Sequence, residues 1–136
     1  MVIPVTRWSR MFSGTPASVG EARKFACLLA AGHRLVDAVE LVVSELATNA
    51  VDHTATGAPG GCFVVEVEVY PARVWVAVVD MGADTSPVPS DDDPSSVKSV
   101  AGRGLFLVDA LAAKWGSEPV RVGRRVWADI HQDLSW

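Results

Sequence analysis

Residues 35–53 read LVDAVELVVSELATNAVDH. Leu35, Val39, Val42, Val43, Leu46 and Ala50 recur at three- and four-residue steps, which is the pattern of one amphipathic helix with a single buried side. At about 100° per residue, Asn49 and His53 fall within the apolar arc marked out by Leu41, Val42, Val43 and Leu46, and Glu45 stands at its edge. An unpaired amide or carboxylate costs about 1–3 kcal/mol to bury, so three such groups at i, i+4 and i+8 need either structural hydrogen bonds or a ligand. One inward asparagine is ordinarily structural. Three polar groups in successive turns shift the reading towards a site.

Upstream of this helix, VIPVTRWSRMF over 2–12 suits an irregular segment or an edge strand, with a proline near its start. Gly14, Thr15 and Pro16 mark a turn. Ser18 and Glu21 then form a capping box ahead of Val19, Ala22, Phe25, Ala26 and Leu29, which predicts a first helix over about 18–31 with Gly32 as its stop.

Downstream, residues 54–61 are rich in helix breakers. Phe63, Val65, Val67 and Val69 alternate with Val64, Glu66, Glu68 and Tyr70, Pro71 and Ala72 turn the chain, and RVWVAVVD repeats the period of two. The short connection makes the pair an antiparallel hairpin. From Met81 to Ala101 the composition turns to Asp, Ser and Pro, which builds no core and fits either a lid over a site or an inert insertion. Next, Gly102, Arg103 and Gly104 lead into a helix carrying Leu105, Val108, Leu111 and Ala112 on one side, and the free amides of such a helix start form an anion site. A last hairpin is expected around a turn at Gly123 and Arg124. This order of elements describes an α+β two-layer sandwich with helices on one face of a mainly antiparallel sheet.

At 136 residues, 49% apolar and 21% charged, the chain is expected to form a single domain over 1–136. A net charge of −4 with no Lys/Arg-rich segment disfavours direct nucleic-acid binding. Cys27 and Cys62 lie in apolar stretches without metal-ligand spacing and read as reduced core thiols, so a cytoplasmic protein is expected. Neither an export signal nor a membrane-spanning run is visible. The five tryptophans fit either a core or an interface.

Asp80 ends a strand two residues before Gly82, where a carboxylate can point into a pocket while bare backbone approaches a flat ligand. A purine amino group needs an acceptor such as Asp80, a triphosphate needs amides such as those around Gly102 and Gly104, and a hard divalent ion needs an oxygen such as that of Asn49. No Gly-Lys-Ser or Gly-Lys-Thr occurs, so the phosphate loop of Walker type is absent.

Together these motifs resemble the GHKL ATPases of gyrase, histidine-kinase and chaperone type. Within that group the chain is most similar to the small anti-sigma-factor serine kinases of bacteria and the single-domain ATP-binding regulators of actinomycetes. ELATNAVDHT (45–54) matches the N box, VVDMG (78–82) the first glycine box and GRGLFLVDALAAKWG (102–116) the second.

The resemblance implies a Bergerat fold with ATP between sheet and helices and a long flexible ATP lid over about 83–101. By matched position Asn49 would hold Mg²⁺ and Glu45 would be the general base. Asp80 and Gly82 would receive adenine, and Gly102, Arg103, Gly104 and Leu105 would line the phosphates. His53 would lie near phosphates or ribose, or simply cap the helix end. Asp84 and Ala101 stand where relatives often carry glycine. One of Arg124, Arg125 and Val126 stands where a threonine near adenine is common.

The function implied is a serine/threonine kinase that phosphorylates an antagonist protein and so acts on a sigma factor's partner. The alternative is a non-catalytic, ATP-responsive protein-binding module that regulates transcription through a partner. Expected partners are ATP, a sigma factor or an anti-sigma-factor antagonist, and, as in the related kinases, a second copy of the chain as a homodimer.

Overall fold

The period-two valines dictate a sheet with one apolar face, and the structure, a computed structural model describing residues 6–82 and 105–131, builds that sheet from five strands. In chain order the elements are β1 (Trp8–Ser13), α1 (Pro16–Leu29), α2 (Val36–His53) and a single 3₁₀ turn at Ala55–Gly57, followed by β2 (Cys62–Val69), β3 (Arg73–Asp80), α3 (Phe106–Leu111), β4 (Lys114–Val120) and β5 (Gly123–His131). The strand order is β1-β2-β3-β5-β4, and every pairing is antiparallel.

Register fixes the faces. Val65, Val78 and Val126 lie side by side across β2, β3 and β5, as do Val67, Val76 and Ala128 in the next row. These rows face α2, whose Val39, Val42, Val43, Leu46, Ala47 and Ala50 are at most 2% exposed. Each such valine stabilises the fold by about 2 kcal/mol relative to an exposed one. α1 packs beside α2, closed at its far end by Phe12, which stacks on Phe63 and meets Phe25 edge-on. The result is the expected α+β two-layer sandwich, helices on one face of the sheet.

Several local expectations are corrected. The first helix starts at Pro16 rather than Ser18: Thr15 is the N-cap, its hydroxyl accepts the Ser18 amide at 3.3 Å, and proline occupies the first turn, where a missing N–H costs nothing. Leu41 is 45% exposed, because the buried side of α2 centres on Val39, Val43, Leu46 and Ala50, nearly opposite to it. Cys27 and Cys62 are free but only half-buried, so they are not core thiols. Burial, then the neighbouring Glu40, pushes the Cys27 thiol pKa up. Of the tryptophans, Trp8 is 51% exposed, Trp75, Trp115 and Trp127 are half-buried, and Trp136 lies outside the described residues.

The last hairpin turns at Arg121 and Val122, because Val120 pairs with Gly123 and Gly123 is already in β5. The preceding strand begins at Lys114, inside the stretch 102–116 that matches the second glycine box. Residues 2–12 contribute the edge strand β1 from Trp8 onward.

The sheet's other face carries charge. Glu66 and Glu68 are each only 9% exposed and sit under arginines: Arg125 Nε donates to Glu66 at 2.7 Å, and Arg7 Nε donates to Glu68 at 2.6 Å while lying 4.4 Å over the Trp75 ring. The Tyr70 hydroxyl donates to the other Glu68 oxygen at 2.6 Å. The Glu66 hydrogen bond raises the Arg125 pKa against the opposing effect of burial. Replacing Arg125 with Met keeps its stem and leaves Glu66 only the Arg7 guanidinium at 4.0 Å, so Arg125→Met is expected to lose about 2 kcal/mol of stability, read as a lower urea midpoint at unchanged slope.

Candidate functional site

Asp80 continues the inward row of Val74, Val76 and Val78, so its carboxylate falls on the helix side of the sheet, where the residue is 6% exposed. The chain then turns back sharply. The Gly82 amide donates to Asp80 Oδ1 at 2.7 Å, and Gly82 takes φ +74, a conformation that glycine adopts without a Cβ penalty. β5 presses on this turn. A Cβ built on Gly123 would lie 2.1 Å from the Asp80 carbonyl oxygen and 2.5 Å from the Gly82 nitrogen. Arg124 pairs in register with Asp80, on the same face, and reaches sideways to donate to Ser117 Oγ at 3.0 Å.

The end of α2 is tied to the same turn. The Ala55 amide donates to the Gly82 carbonyl at 2.7 Å, and the Met81 amide donates to Thr56 Oγ1 at 3.0 Å. About one turn back from the last residue of α2, Asn49 is half-buried. Its Nδ2 is closed off from solvent and has no hydrogen-bond partner among the described residues. A carboxamide carries a donor and an acceptor on one short stem, so this buried group still has bonding capacity to give. Glu45, one helical turn earlier, is half-buried as well.

His53 does not join them. Its direction agrees with the buried side of α2, but it is the last helical residue, beyond the packed layer, and is exposed. Leu105 is 6% exposed and immediately precedes α3, which packs against α2. Gly102, Arg103 and Gly104, and the lid expected over about 83–101, lie outside the described residues. Two open clefts lie elsewhere: one of about 250 Å³ between α1 and α2 around Arg23 and Asp52, and one of about 740 Å³ beside β1 and the loop 57–61; neither Asp80 nor Asn49 lines them.

Sequence reading missed Gly123 and Thr56. An isolated glycine just before the alternating run of β5 is the signal of a close backbone approach, and it was read as a turn residue instead. Thr54 and Thr56 follow the helix as spaced hydroxyls, the composition of a local side-chain-to-backbone turn.

Residues 12–129 match the family described as the histidine kinase-like ATPase domain. The chain is also 35% identical, over 77 residues, to an uncharacterized protein of Streptomyces coelicolor, a match covering 56% of this chain and 69% of that protein.

The closeness of β5 to the Asp80 turn is testable on its own. Gly123→Ala is expected to lose about 2 kcal/mol because backbone must move to admit the methyl group. Gly20→Ala, mid-helix in α1 with nothing nearer than an arginine tip at 3.6 Å, is expected to gain up to about 1 kcal/mol. Chemical denaturation of the two variants reads the contrast.

Proposed function

Because the chain belongs to the histidine kinase-like ATPase domain family, we propose that it binds Mg²⁺-ATP and phosphorylates an antagonist protein on serine or threonine, thereby regulating a sigma factor's partner. The observation that carries the nucleotide part is a pairing. A buried carboxylate, Asp80, stands at a turn of bare backbone, and a buried amide with unused bonding capacity, Asn49, stands on the helix whose end is bonded to that turn. This reading also takes the chain 1–136 as one ATPase domain acting in the cytoplasm. Among the described residues no helix is long and apolar enough to cross a membrane.

In this reading Asp80 accepts a hydrogen bond from the adenine amino group, and the backbone at Gly82 lies against the ring. The Asn49 carboxamide fits a hard cation through its oxygen or a phosphate through its nitrogen, and one such ligand is enough for an ion that keeps its waters and takes phosphate oxygens. When bound, Mg²⁺ supplies charge neutralisation on the phosphates. Leu105 flanks the phosphates, the match to the second glycine box assigns Gly102, Arg103 and Gly104 to them as well, and His53 is available to them or to the ribose from the solvent side. Glu45 takes the proton from the attacking seryl or threonyl hydroxyl as the new P–O bond forms and the bond from the γ-phosphorus to the β-bridging oxygen breaks, leaving ADP.

Calorimetric titration tests the site. Wild type is expected to bind ATP at micromolar Kd in the presence of Mg²⁺ (about −8 kcal/mol). Asp80→Asn should lose about tenfold or more, since the site then offers a donor where adenine also donates, and GTP should compete poorly with ATP on wild type. Asn49→Ala should remove the Mg²⁺-dependent part of binding. Equal affinity for GTP and ATP would remove Asp80 from the base pocket.

The enzymatic part has its own test. Glu45→Gln is expected to keep ATP binding and to slow phosphate transfer to the antagonist by about a hundredfold or more, measured in single turnover. Undiminished transfer places the base elsewhere, and ATP binding without transfer by wild type identifies a binding module.

A further inference from the structure

Thr56 is a polar residue with no solvent exposure at all, in a loop where exposed residues are the rule. Its surroundings leave it no freedom. A Cβ on Gly14 would lie 1.7 Å from the Thr56 carbonyl oxygen, and one on Gly61 would lie 1.9 Å from it, so bare backbone of the β1–α1 turn and of the entry to β2 closes on this residue from two directions. Its hydroxyl accepts the Met81 amide at 3.0 Å, and Met81 is the residue between Asp80 and Gly82.

The bond belongs to a continuous series. The Thr54 hydroxyl donates to the Ala50 carbonyl at 2.6 Å, inside the last turn of α2, and its oxygen accepts the Thr56 amide at 3.0 Å. Thr56 then holds Met81, the neighbouring Ala55 amide holds the Gly82 carbonyl at 2.7 Å, and the Gly82 amide holds the Asp80 carboxylate at 2.7 Å. Packing alone accounts for the volume of Thr56 but not for the hydroxyl, since valine has the same shape. The amide that the hydroxyl serves sits in the turn that sets where Asp80 points.

We propose that Thr56 is a positioning residue for nucleobase selection: its hydroxyl locks the Asp80–Gly82 turn to the end of α2, so that the base-binding carboxylate is held in place before any nucleotide arrives. The inference rests on the ATP reading of the site, and goes beyond it by assigning adenine selectivity to a residue that does not touch the base. Without the hydroxyl the Met81 amide loses its acceptor, the turn can relax, and the Asp80 carboxylate samples positions that no longer discriminate a donor from an acceptor on the base.

The test compares Thr56→Val with Thr56→Ser in the full chain, with two readouts. In the nucleotide-free protein, hydrogen exchange at the Met81 and Gly82 amides is expected to speed up in Thr56→Val and to stay near wild type in Thr56→Ser. By titration, Thr56→Val should bind ATP about tenfold more weakly, narrow the ATP-over-GTP ratio and leave the Mg²⁺ enhancement unchanged, with Thr56→Ser restoring all three. Thr54→Ala breaks the series one link earlier, at a half-buried residue, and should move exchange and selectivity in the same direction, which keeps the test in hand if Thr56→Val does not fold. An unchanged ATP-over-GTP ratio in a folded Thr56→Val overturns the inference, as does a loss confined to the Mg²⁺ enhancement. Failure of wild type to bind ATP instead overturns the nucleotide reading itself and the base-selecting role with it, whatever the exchange at Met81 shows.

Discussion

Burial of one side of α2 against the valine rows of β2, β3 and β5 is the constraint on which the site depends. The six residues of that side are at most 2% exposed, and turning the helix by one residue, about 100°, would bring several of them into water at about 2 kcal/mol each. The helix is therefore fixed in rotation. With the rotation fixed, Asn49 and Glu45 have only one place to be, at the rim of the buried side, where a side chain is shielded without being packed solid. The same sheet face fixes Asp80, because a period of two that buries Val74, Val76 and Val78 sends the next residue in phase to the same side. Polar groups from two elements, Asn49 and Glu45 on α2 and Asp80 on β3, thus share one layer as a consequence of apolar packing.

What was legible in the sequence follows from how strongly each element repeats. α2 spans five turns and β2 and β3 alternate over eight residues each, so their periods stand out and their bounds fall where the pattern places them. β4 could not be read in this way: KWGSEPV is an edge strand, mostly exposed, with a glycine and a proline and no alternating apolar residues, and it merged with the glycine motif before it. The start of α1 lies earlier than the capping box of Ser18 and Glu21 implies, because the Thr15 hydroxyl already takes the Ser18 amide and Pro16 fills the first turn, where no N–H is needed. His53 shows the limit of angular reasoning, since direction around a helix says which way a residue points and not whether anything lies there.

Gly123 and Thr56 were hidden for a different reason. Both act on the Asp80 turn from far along the chain, and a sequence window contains no sign of which strand will lie beside which. The order β1-β2-β3-β5-β4 puts β5 next to β3, so the first residue of β5 meets the last residue of β3. Only glycine leaves room there: the missing Cβ is what allows the Asp80 carbonyl and the Gly82 nitrogen to approach β5 so closely. A residue that looks like turn punctuation is a packing requirement of the site.

The two halves of the candidate site are built by different physics. In the proposed reading the base end is held through three backbone amides, Ala55 on the Gly82 carbonyl, Met81 on the Thr56 hydroxyl and Gly82 on the Asp80 carboxylate, with Gly123 of β5 packed against Asp80, Met81 and Gly82. These bonds join segments already ordered by the sheet and by α2, so the turn that carries the carboxylate is set by the fold itself. At the other end, Asn49 offers one short amide from the rim of the buried side of α2, a group that gains most when an ion or a phosphate answers it. In the proposed function selectivity is then a property of the frame around Asp80 and the remaining affinity a property of added charge, and a change in one need not disturb the other.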